Sequence, residues 1–435
     1  MSGIRALPVL MFHSVAPPRT LAPHGWLERI SEPVERFEAM LEDWQRRGVR
    51  TVGTDEVRRF LLGEEDLPRR SVALTFDDGY LDNWVAATPL LKRYGQKAIV
   101  FVSTDFIDPR PSLRPTIDEA RLGLSWQGYL SEPEMRAMAD SGAVEIQSHA
   151  RSHTWHFVSP RIVDFYGPHW NIEHPKCRYR FLWLNRHIPL KPFALEHLRR
   201  EAVPWGTPIY EFAPALRARV YSPDIDLEAL LVEKVDREGG EGFFERPGWK
   251  EELAALVEEH RRRFGDRGVT ETEDERRERV TSEMAGSRAR LERATGRPVT
   301  FLSPPQGGAD EETLALARAC GYALVTAPSG GSVVLNRRGA GAGWVHRAGT
   351  GFDLFGRGRG IRASLRSQRI VLARYSGGAP AASLITRAAG AVSRLGASLG
   401  RARSDSSGAP PAAHSAASAV SSPASARTGA RGPGR

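Results

Sequence analysis

The chain of 435 residues is 41% hydrophobic and contains two cysteines, Cys177 and Cys320. That length suffices for one large α/β domain with insertions or for two ordinary domains, and two distant cysteines write neither a disulfide framework nor a cysteine zinc site. The net charge of +9 is uneven, because residues 336–435 hold sixteen arginines, no lysine and two acids, which leaves residues 1–335 at −5. The basic balance therefore belongs to the C-terminal part, and nucleic-acid binding by the body of the chain is excluded on charge grounds.

The N-terminal "MSGIRALPVLMFHSVAPP" has an apolar run too short and wrongly flanked for a secretory signal, and no run reaches the roughly 18 residues of a membrane span. A cytoplasmic location is expected. In chain order, short β-like runs then alternate with helical ones. "LPVLMFHSV" reads as a strand, Pro33–Arg47 as a helix, "SVALTF" as a strand, Asn83–Tyr94 as a helix and "KAIVFVS" as a strand. "SEPEMRAMADSG" opens with Ser131 as N-cap and Glu134 three residues on, and closes at Gly142. The strand "AVEIQSH" follows. Later come a helix over Glu271–Thr295, the strand "PVTFLSPP", a helix over Asp310–Cys320, the strand "GYALVTA" and a final strand in "QRIVLARY". Such alternation predicts a parallel sheet or barrel with helices outside.

Between residues 155 and 268 the alternation breaks. This insertion holds five of the ten tryptophans (Trp155, Trp170, Trp183, Trp205 and Trp249) and the charged helix "GWKEELAALVEEHRRRFG". Placed after a strand's C-terminal end, it is expected to stand over the face where such folds keep their sites. Residues 376–435 are rich in Ala, Ser, Gly, Pro and Arg and are expected to be mostly disordered. Within them, Ala381–Arg403 places Ile385, Ala388, Val392, Leu395 and Leu399 on one helical face and Arg387, Arg394 and Arg401 on another, a candidate for peripheral contact with an anionic membrane.

Two clusters carry the chemistry. "SVALTFDDGY" runs a strand into the adjacent carboxylates Asp77 and Asp78, and the strand "AVEIQ" runs into "SHARSH", with His149 and His153 four residues apart. A helical turn after that strand would put both imidazoles on one face as nitrogen ligands. A carboxylate from the other strand end would complete a His2Asp set with open positions. One aspartate can then bind a metal while its neighbour takes a proton from water.

These residues resemble the polysaccharide deacetylases, carbohydrate esterase family 4, with its NodB homology domain. "TFDDGY" matches the first motif and "HARSH" the second, with Ala150 in place of Ser or Thr. "FLSPPQGG" aligns with the third, where Ser303 replaces an arginine and Gln306 a tyrosine. The resemblance implies a distorted (β/α)7 barrel, Asp77 as general base, Asp78, His149 and His153 as metal ligands, and the backbone amide of Gln306 in an oxyanion hole. Trp155 and Pro305 are assigned to substrate binding. The arginine absent at Ser303 would orient the base, a task left to another cation, such as one from the insertion. "PVLMFHSV" resembles the opening strand of the circularly permuted branch that deacetylates poly-N-acetylglucosamine, so the general acid is assigned to His13, with His346 in "GWVHRAG" as its rival. The implied partner is an N-acetylated oligo- or polysaccharide and the implied cofactor a divalent metal, zinc first, then cobalt, nickel or iron. A non-sugar amide as substrate, and a non-catalytic carbohydrate-binding protein, are the alternative readings.

Overall fold

Alternation along short parallel strands decides the architecture. The computed structural model describes residues 3–17, 30–120, 122–170, 203–328, 334–349 and 360–377. Its central strands are β1 (Val9–Phe12), β2 (Ser71–Phe76), β3 (Ala98–Val102), β4 (Val144–Ser148), β5 (Phe301–Leu302), β6 (Leu324–Thr326), β7 (Trp344–Val345) and β8 (Ala348–Gly349). Each neighbour pair from β1 to β7 is parallel, and β8 is parallel to β1.

Strands β7 and β8 stand at opposite ends of this sheet, yet only His346 and Arg347 separate them in sequence. Two residues span at most roughly 10 Å, so the sheet must curl until its ends meet. They form one split seventh strand, its first half pairing with β6 and its second with β1. The result is the expected distorted (β/α)7 barrel.

The strands are buried on both faces, as parallel strands wrapped by helices must be. Val9, Ala73, Ile99, Phe101, Phe301, Leu324 and Val345 fill the barrel with Val57, Phe60 and Leu61. The alternate residues Leu10, Phe12, Leu74, Phe76, Val100, Val102, Ile146, Leu302 and Val325 pack outward against helices. The first two helices are α1 (Val34–Arg47) and α2 (Thr54–Leu62), the latter supplying the plug at one end of the barrel. Helix α3 (Glu132–Asp140) carries the expected capping box of Ser131 and Glu134. Helices α4 (Glu273–Thr295) and α5 (Glu311–Ala319) cover the later strands.

One element differs from the sequence expectation. "QRIVLARY" is no strand but the end of a helix, α6 (Ile361–Tyr375), whose buried residues Ser364, Ser367, Gln368 and Val371 recur at helical spacing. The consecutive Ile370, Val371 and Leu372 suggested a strand, but the split strand already completes the barrel. Helix α6 instead lies on α1, where Trp44 Nε1 donates to Gln368 Oε1 at 3.1 Å and Arg369 pairs with Asp43.

Residues 155–170 and 203–270 build a lobe with cores of its own. Trp155–Phe165 pairs antiparallel with Pro208–Pro214, and Trp155, Phe157, Trp170, Ile209, Tyr210 and Tyr221 pack together beside it. A second cluster joins Phe165 to the helices Ile225–Arg237 and Trp249–Phe264. The lobe is seated on the barrel at Gly308, where an added Cβ would lie 2.2 Å from Pro214 Cβ. Residues 18–29, 171–202 and 378–435, with Cys177, Trp183 and the stretch Ala381–Arg403, lie outside the described residues. Among the described residues, no helix is long and apolar enough to cross a membrane.

Candidate active site

The site is built at strand ends whose backbone is bent out of the ordinary. Asp77 follows β2 directly, its amide donating to the Phe12 carbonyl at 3.0 Å. Asp78 and Gly79 then take φ of 75° and 70°, in the left-handed region. That turn breaks the strand's alternation, so Asp77 and Asp78 are buried neighbours whose side chains meet different partners in one site. Glycine at 79 has a second cause, because a Cβ there would meet both methyl groups of Val102 at 3.1 Å.

The two histidines are not brought together by a helical turn. Residues 149–154 form a loop in which Ala150 and His153 have φ of 56° and 45°. The hydrogen-bonding groups that a helix would use are taken elsewhere. Glu283 of α4 accepts the amides of Ser152 at 2.9 Å and Arg151 at 3.3 Å, Ser148 Oγ accepts that of Ala150, and Ser103 Oγ donates to the His149 carbonyl. Among the described residues, four other than glycine have positive φ: Asp78, Ala150, His153 and Gln306. All four lie in the motifs singled out from the sequence. Each costs about 1–2 kcal/mol, so the surrounding contacts must hold them there.

Asp78, His149 and His153 converge, each offering a ligand atom within 4.8 Å of the others. Asp78 Oδ1 is 3.3 Å from His149 Nε2 and 3.1 Å from His153 Nε2. Nδ1 of His149 meets the Ser303 carbonyl, which can only accept, so that nitrogen carries the proton. Nε2 then faces a carboxylate oxygen, an arrangement satisfied either by a proton on that nitrogen or by a cation held between the two. Burial pushes the Asp78 carboxyl up, yet the His153 and His149 imidazoles overcome it and hold it well below the usual carboxylate range. Burial lowers His153 and Asp78 raises it, with a net rise. The phenol of Tyr80 hydrogen-bonds Asp78, and its ring is stacked on Tyr129 with centroids 5.3 Å apart. These donors fit a divalent metal, in kind and in placement.

Asp77 has a different partner. Arg347, in the link between β7 and β8, grips it bidentately, Nη1 to Oδ1 at 2.6 Å and Nη2 to Oδ2 at 2.8 Å. The same guanidinium donates from Nη2 to Ser303 Oγ at 3.0 Å and lies over the Phe101 ring. Burial raises the Asp77 carboxyl, but Arg347, then His149 and His13, more than offset it, and the net direction is downward. The cation missing from the third motif therefore comes from the split strand and not from the insertion. The sequence singles out only the neighbouring His346, as a rival for the general acid. Val345 faces the barrel interior, and strand alternation gives Arg347 the same face and His346 the other. Burial lowers the His346 imidazole.

His13 is half-buried at the end of β1, its carbonyl accepting Asn83 Nδ2 at 3.0 Å. Gln306 occupies an exposed left-handed position in the turn Pro305–Gly307, and Pro305 is buried. Trp155 is only 7% exposed and its ring meets Phe212 at 5.3 Å. The ring expected to stack on substrate is thus part of the lobe's core, because the strand that carries it pairs with Pro208–Pro214 and turns it inward.

Residues 64–178 and 255–325 match the polysaccharide deacetylase family model. Those segments hold Asp77, Asp78, His149, His153, Ser303 and Gln306, and leave out His13 and Arg347. YxkH of Bacillus subtilis is 31% identical over 147 residues, which are 34% of this chain and 43% of that protein. The chain thus spans less than half the length of that curated relative. Among solved structures, the chain is similar to the de-N-acetylase of Aggregatibacter actinomycetemcomitans, with 17% identity over 78% of this chain and 93% of the other and a TM-score of 0.46. It is also similar to the BpsB deacetylase domain of Bordetella bronchiseptica, with 17% identity over 79% and 95% of the two chains and a TM-score of 0.44.

Proposed function

We propose that this protein is a metal-dependent deacetylase that hydrolyses N-acetyl groups on sugars of a polysaccharide or its precursor. The observation that carries the reading is the division of labour between two adjacent carboxylates, Asp78 facing two imidazoles and Asp77 facing one guanidinium. The family match supports the substrate class.

A divalent ion, zinc by the donor set, would be held by Asp78, His149 and His153 and would supply Lewis acidity toward water and an acyl oxygen. Asp77 takes the proton of the attacking water. The Arg347 grip uses one lone-pair direction on each carboxylate oxygen and leaves others to accept it. The Gln306 amide donates to the oxygen on which negative charge develops, and because this contact is made by backbone, glutamine can stand where the family has tyrosine. His13 gives a proton to the departing amine.

The test is acetate release from short N-acetylglucosamine oligomers by the full-length protein, loaded with zinc or cobalt and assayed for bound metal. Stoichiometric metal without acetate release would overturn the reading in favour of another amide or of a binding protein.

A further inference from the structure

The placement of Arg347 depends on how the barrel seam is held, since its link joins two half-strands that pair in opposite directions around the sheet. On one side of the link, Val345 pairs with Thr326, and on the other Ala348 pairs with Leu10. Among the described residues, neither His346 nor Arg347 has a strand partner of its own. Asn336, 3% exposed, takes that place. Its Oδ1 accepts the His346 amide at 2.9 Å, and its Nδ2 donates to the His346 carbonyl at 2.7 Å and to the Leu7 carbonyl at 3.1 Å. With two carbonyls on one end and an N–H on the other, the orientation of the amide is fixed by its partners. A single side chain thus makes the pair of hydrogen bonds that a neighbouring strand would make, and ties them to the chain just before β1. Its own backbone is held in register, Asn336 opposite Leu7 and Arg337 opposite Ala6.

We propose that Asn336 is a seam clasp and the positioning residue for Arg347. By fixing the backbone of His346 it sets where the next residue projects, and so sets the two-point grip of Arg347 on Asp77. The inference rests on the deacetylase reading, in which Asp77 is the base. Nothing in the clasp touches the reacting groups, and its effect passes entirely through Arg347.

The experiment is a double-mutant cycle on the metal-loaded full-length chain, with Asn336→Ala, Asn336→Asp, Arg347→Ala and the double variant Asn336→Ala/Arg347→Ala. The aspartate keeps the volume of asparagine but turns an acceptor toward two carbonyls, so it breaks the clasp without opening a cavity. Misplacing a group by about 1 Å can cost 10²-fold, so Asn336→Ala and Asn336→Asp are expected to lower kcat roughly tenfold or more, with KM and metal content unchanged. Once Arg347 is gone the clasp has nothing left to place, and the double variant should match Arg347→Ala alone. Losses that multiply, or a kcat near that of the native protein in both Asn336 variants, would overturn the proposal. If the native protein hydrolyses no N-acetyl substrate, the deacetylase reading falls by itself, and a crystal structure of an Asn336 variant judges the clasp. The Arg347 grip on Asp77 should then be broken, and an intact grip would refute the proposal.

Discussion

Glu283, buried in helix α4, accepts the backbone amide of Ser152 at 2.9 Å and thereby fixes the loop between His149 and His153, the two histidines of the candidate metal site. This carboxylate touches neither histidine, yet it replaces the hydrogen bonds that residues 149–154 would make in a helix. Glu283→Ala leaves two amides, one of them buried, without this acceptor. It is expected to cost about 1–3 kcal/mol in stability and to weaken metal binding by roughly 10- to 100-fold. Glu283→Gln keeps an acceptor oxygen and should lose less of both. Chemical unfolding and metal titration measure the two effects, and native metal affinity in Glu283→Ala would show that the histidine loop holds itself.

The two carboxylates should separate cleanly by mutation. Asp78→Ala, His149→Ala and His153→Ala each remove a ligand and are expected to empty the site. Asp77→Asn keeps its shape beside Arg347 but cannot take a proton, so metal should remain while turnover is lost. His13→Ala should also keep the metal and lower turnover by roughly 10² to 10⁴, the usual contribution of a general acid. Metal analysis and initial rates on one preparation of each variant decide the matter. Near-native turnover in Asp77→Asn would sink the base assignment, and a larger loss in His346→Ala than in His13→Ala would move the acid to the seam.

The strand ends were legible in the sequence because β2 is buried along its whole length, so "SVALTF" reads as a continuous apolar run that stops at its chemistry. The candidate metal ligands were legible too, since the motifs that hold them are written in the sequence and the structure brings the three side chains together. What brings them together was not. Left-handed φ at Asp78, Ala150 and His153 leaves no mark in the sequence, because residues other than glycine adopt it only under tertiary constraint. Arg347 escaped for another reason, as it meets Asp77 across 270 positions of chain. The available clue was the alternation in "GWVHRAG", where an inward valine at 345 implies an inward residue at 347. Trp155, assigned to substrate binding from the sequence, packs in the lobe's own core, a burial set by the pairing of its strand with Pro208–Pro214 and not by anything local in the sequence.

The pH dependence of stability should change sign with metal. Without metal, Asp78 raises the His153 pKa above its ordinary value. The pair therefore stabilises fully below about 6.5, the usual histidine value, and this contribution is lost as pH rises through the raised one. Asp78 itself is depressed, so its contribution is present above the usual carboxylate range and is lost only as pH falls through its lowered value. A metal ion needs the neutral His153 ring, so binding weakens as pH falls through that same raised value. Thermal unfolding from pH 5.5 to 8.5 is expected to show this site favouring lower pH in metal-free protein and higher pH with saturating zinc. Parallel slopes in the two series, compared after subtracting those of His153→Ala, would refute the assignment.

Helix α6 gives the last prediction. A chain ending at Gly377 keeps this helix, whereas one ending at Gly360 removes it and uncovers Trp44, a fully buried side chain of α1 that donates to Gln368. Arg369 also leaves Asp43. Burial raises that carboxyl, but Arg369 and Arg47 together bring it below its usual value, and only Arg47, at 3.3 Å, would remain. Exposing a large aromatic side chain costs about 2–3 kcal/mol before any loss from the broken ion pair. The shorter chain should therefore unfold at lower denaturant, with the difference narrowing as acid protonates Asp43 in both forms. The site lies at the strand ends and draws no residue from α6, so metal binding should persist in whatever fraction stays folded. Equal midpoints for the chains ending at 360 and 377 would show that α1 keeps its packing without this helix.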